Sequence, residues 1–208
     1  MPSKRFANLP EEKRRRIAEA AIAEYVQNGI DAAEVAGIVR RAGIPRGSFY
    51  QYFEDMNDLF GYVLSHLVTI KLVYLADVVA QAGKLPFVDY VETTFRAGLQ
   101  FARTYPQGIA FARRVYSSAD PVVAAHVKSA MQKGVEHYLP LIDQDKARGL
   151  IRQSVDSRVL ARFVMAVFSD VVASAMLHEP GDDQEGMALA DTLFDILRHG
   201  IQAHEGAD

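Results

Sequence analysis

Between residues 46 and 52 the chain reads Arg-Gly-Ser-Phe-Tyr-Gln-Tyr, followed by Phe53. Phe49 and Phe53 are four residues apart and fall on one side of a helix, facing inward. Arg46, Gly47, Ser48, Tyr50, Gln51 and Tyr52 then lie nearer the outside. This set suits the major groove of a duplex. A guanidinium matches guanine, a carboxamide matches adenine, and serine and tyrosine hydroxyls hold phosphates. Gly47 lets a partner approach the backbone closely, and the amides of the first turn favour a phosphate.

Charge points the same way. The formal net charge of -3 hides an asymmetry. Residues 1–16 carry six basic and two acidic side chains, and residues 40–52 add Arg40, Arg41 and Arg46 with no acid. From residue 56 onward there are 14 basic and 18 acidic residues. A basic module on a mildly acidic body suggests a polyanion partner, with a solvated helix face as the competing reading. Arg5 and Lys13 are candidate backbone contacts within the first run.

The elements that must position these residues read as helices throughout. The first long one is expected from Pro10 to Gln27, with Glu11 and Glu12 in its first turn and Asn28-Gly29 as its stop. Two short helices follow, Val35–Arg41 and Arg46–Tyr52, with Gly43 in the turn and Ile44 as a plug between them. Asp55, with Asp58 three residues on, starts a long helix to about Gln81. Further helices are expected at about Pro86–Thr104, on to Ser117, and Pro121–Tyr138 with Pro140 interrupting or kinking the last. Ser157–Leu177, capped by Asp156, and Glu185–Ala203 complete about nine helices. The expectation is an all-α protein. A helix-turn-helix domain occupies residues 1–55, and a larger helical domain occupies residues 56–208.

Composition narrows the class. Half the residues are hydrophobic and 24% are charged, which argues against a mostly disordered chain. With no cysteine there is no disulfide, thiolate zinc site or cysteine nucleophile. No signal peptide and no membrane-spanning run is visible, so a cytoplasmic protein is expected. There is no P-loop, dinucleotide glycine motif, His-Glu-x-x-His or Gly-x-Ser-x-Gly, and the chain does not read as an enzyme. No cofactor and no metal is expected.

The stretch Gly29 to Leu59 resembles the DNA-binding domain of the TetR (tetracycline-repressor) family. The resemblance is carried by Gly29, Ile30, Ile38, Ala42-Gly43-Ile44-Pro45, Arg46-Gly47, Phe49-Tyr50 and Tyr52-Phe53, with Arg16-Ile17 and Ala20-Ala21 before it. It implies a dimeric regulator, most often a repressor, that reads a pseudo-palindromic operator and is released by a small effector. Three positions depart from the family pattern. Ala33-Glu34 stands where a Thr or Ser caps the second helix and touches phosphate, Ile38-Val39 replaces Ile-Ala, and Met56 replaces a phosphate-contacting Lys. The departures keep open an alternative: a small-molecule-binding helical dimer whose DNA head has weakened.

The resemblance also implies an effector-binding and dimerisation body. Apolar residues spread over more than one face of the last two helices. Val164, Phe168, Val171, Val172 and Ala175, with Leu189, Leu193, Ile196, Leu197 and Ile201, are the expected homodimer interface. Phe101, Tyr105, Phe111, Tyr116, His126, Tyr138 and Phe163 are candidates for a mostly apolar effector pocket, against the plainer reading of core packing. Arg113-Arg114 reads first as a solvated pair and second as a clamp for an acidic ligand. His178, Glu179, Asp182 and Asp183 read as a polar surface loop rather than a metal site.

Overall fold

The computed structural model describes the backbone at residues 2–177 and 183–201, with side chains at 2–167 and 187–201. All regular structure among these residues is helical. The order is α1 (Lys4–Ala7), α2 (Glu11–Asn28), α3 (Val35–Ala42), α4 (Arg46–Tyr52), α5 (Met56–Tyr74), α6 (Ala76–Val79), α7 (Phe87–Thr104), α8 (Pro106–Ser117), α9 (Pro121–Ala147), α10 (Ser157–Leu177) and α11 (Asp183–Ile201).

Packing divides the chain into two compact units. One joins the residues up to Val73 with Ala102–His126; the other joins Tyr74–Phe101 with the residues from Val127 on. The division by packing differs from the sequence-based division at residue 55. By packing, α8 goes with the first unit because it lies against α2. Arg114 of α8 donates from Nε and Nη2 to the Val26 carbonyl near the end of α2, at 3.1 and 2.9 Å. Arg114 is exposed and makes these bonds from the surface.

The core of the first unit is built on Ile17, Ala21, Ile22 and Tyr25 of α2, with Ile38, Phe49, Phe53, Leu59, Phe60 and Phe111. Gly29 ends α2 at φ +87°, its amide bonded to the Tyr25 carbonyl at 2.9 Å. Asp55 and Asp58 mark the start of α5 as expected. The Asp58 amide donates to Asp55 Oδ1 at 2.8 Å, and Asp58 Oδ2 accepts from the Glu54 amide at 3.2 Å.

The second unit closes on Phe87, Val91, Phe95, Val135, Ile142, Leu160, Val164, Phe194 and Leu197. The buried Asp145 carboxylate accepts the Phe87 amide at 2.6 Å and so caps α7 from 58 residues away. Glu92 of α7 bonds both Arg96 and Arg198, and Arg198 also reaches Asp89 at 2.5 Å, tying α7 to α11.

Three expectations about elements change. The helix from Asp55 breaks at Leu75, whose backbone leaves helical geometry (ψ 12°) while its side chain is buried. Pro140 does not end its helix. α9 continues to Ala147, because the buried Val135 and Ile142 hold it on both sides of the one lost hydrogen bond. The short α1 is additional.

The interface expectation also divides. Val164, Leu197 and Ile201 are buried in the core of their own unit, and Leu193 packs partly against it. The 3.6-residue period explains this. Ala190, Phe194, Leu197 and Ile201 share the inner face of α11, while Leu189 and Ile196 stand outside at 47% and 58% exposure. The side chains of Phe168, Val171, Val172 and Ala175 lie outside the described residues, as do His178, Glu179, Asp182 and the side chain of Asp183.

Candidate nucleic-acid interface

α3 and α4 form the helix-turn-helix on α2. Gly43 takes the left-handed conformation (φ 61°, ψ 40°) that the turn requires, and a side chain there is strained. The next amide, Ile44 N–H, returns to the Val39 carbonyl at 3.1 Å, and the Ile44 side chain is buried as the expected plug. Phe49 and Phe53 both point inward, their rings 5.6 Å apart.

The opposite side of α4 is open. Arg46, Gly47 and Gln51 are exposed, Tyr50 is 55% exposed, and Ser48 is half-buried. A Cβ added at Gly47 would meet nothing within 4 Å, so the chain's own packing does not require glycine there.

Tyr52 corrects the sequence reading. It was expected outside and is 7% exposed. Its ring packs on Phe6 at 5.9 Å, and Lys13 Nζ lies 5.8 Å from its centroid. Tyr52 is three residues from Phe49 and so shares its helix face; it supports α4 rather than being presented by it. Lys13 is half-buried over this ring and Arg5 is exposed.

A buried carboxylate ties α2 to α3. Glu24 accepts from Arg41 Nε at 3.0 Å and from Asn28 Nδ2 at 2.6 Å, and Arg41 also bonds Gln27. Burial pushes the Glu24 pKa up. The bonds from Arg41, Asn28 and the Glu34 backbone, with the Arg41 charge, outweigh burial and hold it below the ordinary carboxylate range. Arg41 is therefore tied to Glu24 while its side chain stays about one-third exposed, and Arg40 and Arg46 are exposed. Glu34 stands at the N-cap of α3 but makes no side-chain cap bond, and its side chain is exposed.

Sequence reasoning missed Ser3, Phe6, Glu24 and Gly37. Phe6 was detectable as a lone aromatic inside a basic run, and Ser3 as a cap three residues before it. Glu24 gave no signal, because a carboxylate in a helix reads as surface.

The effector candidates divide between the two units. Tyr105, Phe111, Tyr116 and His126 belong to the first, and Phe101, Tyr138 and Phe163 to the second. Phe111 is core, against Tyr25 and Phe60 at 5.7 and 5.9 Å. His126 packs on Phe60 at 5.5 Å. Tyr138 packs on Phe87 at 5.4 Å, and burial pushes its phenol up to about 12. Phe101 lies 5.2 Å from Tyr74. Tyr116 and Phe163 are about half exposed. Among the described residues no His/Asp/Glu cluster is arranged to hold a metal, and no helix is long and apolar enough to cross a membrane.

The sequence model for bacterial regulatory proteins of the tetR family matches residues 17–63, from the core of α2 into α5. Over these residues the chain is similar to the tetR family. It is 22% identical over 187 residues to the Escherichia coli (strain K12) protein described as probable acrEF/envCD operon repressor, across 87% of this chain and 84% of that one. A TetR family transcriptional regulator from Chloroflexus aurantiacus J-10-FL aligns over 98% of this chain and 100% of its own, with 25% identity and a TM-score of 0.63. The transcriptional regulator FadR from Bacillus subtilis, solved with stearoyl-CoA, shares the fold at a TM-score of 0.72 with 14% identity, over 90% of this chain and 99% of that one. These similarities are to TetR-family transcription regulators, and they support a DNA-binding helix-turn-helix head in this chain.

Proposed function

We propose that the chain is a ligand-responsive repressor that binds a pseudo-palindromic operator as a homodimer and is released by a small, largely apolar effector. The observation that carries the reading is the outer side of α4. Arg46, Gly47, Ser48, Tyr50 and Gln51 are presented by a helix whose inner side is locked by Phe49, Tyr52 and Phe53. Arg46 and Gln51 read base edges, and Tyr50 and Ser48 hold phosphates. Arg5 and Lys13 add backbone contacts. Two such heads set about 34–36 Å apart read successive major grooves.

Dimerisation is supported by Val159 and Phe163 of α10 with Leu189 and Ile196 of α11. All four are large, apolar and between 47% and 65% exposed, on two helices that pack together. An effector that prefers one head spacing needs a coupling of only about 1–3 kcal/mol to switch the protein. The effector's apolar character is supported by the aromatic content of α7–α9 and by the stearoyl-CoA in the FadR neighbour. Acyl-CoA thioesters are therefore the first ligands to test.

The test is a gel-shift titration with the DNA upstream of the gene, at two salt concentrations, with and without acyl-CoA. Salt-sensitive binding weakened by ligand is expected. Absence of any salt-sensitive binding overturns the DNA reading. One observation favours the second reading, a small-molecule-binding dimer with a lost DNA head: the exposed Glu34 carboxylate, uncapped at the start of α3. Glu34→Thr with Met56→Lys removes that carboxylate from the N-cap and supplies the residue types the family uses for phosphate contacts. If wild type is inert and this double variant binds DNA, the second reading holds.

A further inference from the structure

The residues before α2 lie outside the matched span, yet they complete α4. A helix of seven residues leaves its last carbonyls without partners inside the helix. Ser3 takes two of them. Its amide donates to the Tyr52 carbonyl at 2.9 Å, and its hydroxyl donates to the Gln51 carbonyl at 2.7 Å. The same hydroxyl oxygen accepts the Phe6 amide at 3.3 Å and so caps α1. α1 in turn delivers the buried Phe6 ring to Phe53 at 4.7 Å, Tyr62 at 4.6 Å and Tyr52 at 5.9 Å.

One serine therefore joins the start of α1 to the end of α4. A two-turn helix has little stability of its own, so its direction depends on what holds its ends. Pro45 and the buried Ile44 fix the start of α4; Ser3 and Phe6 fix the end. Gln51 stands where this matters, because its backbone carbonyl is braced while its side chain is exposed. Lys4 and Arg5 are exposed in α1, which packs against α4.

We propose that Ser3 and Phe6 are positioning residues for operator reading. They hold the C-terminal end of α4 so that Tyr50 and Gln51 meet the groove in register, and they bring Lys4 and Arg5 beside that end as phosphate contacts. The proposal rests on α4 being the recognition helix. It separates two roles that a basic N-terminal arm would otherwise merge. The brace governs specific binding, and the two cations govern binding to any duplex.

The experiment uses the full chain and the operator that wild type selects. Ser3→Ala, Ser3→Thr, Phe6→Leu and the pair Lys4→Ala with Arg5→Ala are each titrated with operator and with an unrelated duplex at several salt concentrations. Thermal midpoints are recorded alongside. Ser3→Ala is expected to weaken operator binding about fivefold, the scale of one hydrogen bond, with the unrelated duplex and the salt slope unchanged. Ser3→Thr restores the operator affinity, and Phe6→Leu acts in the same direction as Ser3→Ala. The Lys4/Arg5 pair weakens both duplexes and lowers the salt slope by about two. Wild-type operator affinity in Ser3→Ala, or equal loss on both duplexes, overturns the proposal while leaving the DNA reading intact. If wild type selects no operator, the recognition-helix reading fails first and takes the brace with it.

Discussion

Gly37 lies in the middle of α3, where helix propensity alone favours alanine by about 1 kcal/mol. The structure predicts the opposite sign. A Cβ at Gly37 falls far inside van der Waals contact with the Glu24 carboxylate, touching both oxygens and their carbon. That carboxylate is buried and is held by Arg41 at 3.0 Å and Asn28 at 2.6 Å, so it cannot give way without leaving its partners. Breaking a buried ion pair costs about 3–5 kcal/mol, and the lower end applies because Arg41 is about one-third exposed and regains water. Set against the propensity gain, Gly37→Ala should destabilise the protein by about 2 kcal/mol. Urea unfolding followed by circular dichroism reads this as a lower midpoint. The decisive arm is the same substitution in a Glu24→Ala background, where the space is vacant and alanine should stabilise. The coupling expected between the two sites is about 3 kcal/mol. Stabilisation by Gly37→Ala in the wild-type background, or an equal effect in both backgrounds, would mean that the Glu24 carboxylate does not oppose a side chain at position 37.

The same carboxylate gives a pH prediction. The folded pKa of Glu24 lies below its unfolded value, so its contribution to stability is full above the ordinary carboxylate range and is lost as pH falls through the folded value. Acid titration of the unfolding midpoint should fall less steeply in Glu24→Gln than in wild type. Tyr52→Phe should leave operator affinity within about twofold, because the ring supports α4 from inside, whereas Arg46→Ala or Tyr50→Ala should cost about 1–3 kcal/mol by equilibrium binding. Phe163→Glu with Ile196→Glu should convert a dimer to a folded monomer in sedimentation equilibrium, since both side chains are about half exposed and neither fills the core of its unit.

The helix-turn-helix was legible because its signals are local. Gly43 marks a turn that needs a left-handed residue, and Phe49 with Phe53 marks an inward face by spacing alone. Tyr52 was misplaced because the contact that buries it, Phe6, comes from α1, and four residues in a basic run show no periodicity. The start of α5 was legible in Asp55 and Asp58, but its end was not. The break at Leu75 follows from where one side chain finds cover, and that is a tertiary fact. Pro140 misled for the same reason: local chemistry argues for a break, while burial of Val135 and Ile142 keeps the helix whole. On the last helices the sequence displayed two apolar faces without saying which one turns inward. Leu197 and Ile201 took the core, and Leu189 and Ile196 stayed outside. Glu24 was illegible in principle, since its partner Arg41 is 17 residues away and either residue alone reads as surface.

In the proposed function α4 reads a two-fold symmetric DNA sequence. Selection from a random duplex library tests it most directly, run at two salt concentrations with wild type, Arg46→Ala and Tyr50→Ala. One pseudo-palindromic motif, with half-sites one helical turn or a small multiple of it apart, is expected to be enriched by wild type and lost in both variants. No enriched motif, or a motif that survives both substitutions, contradicts it.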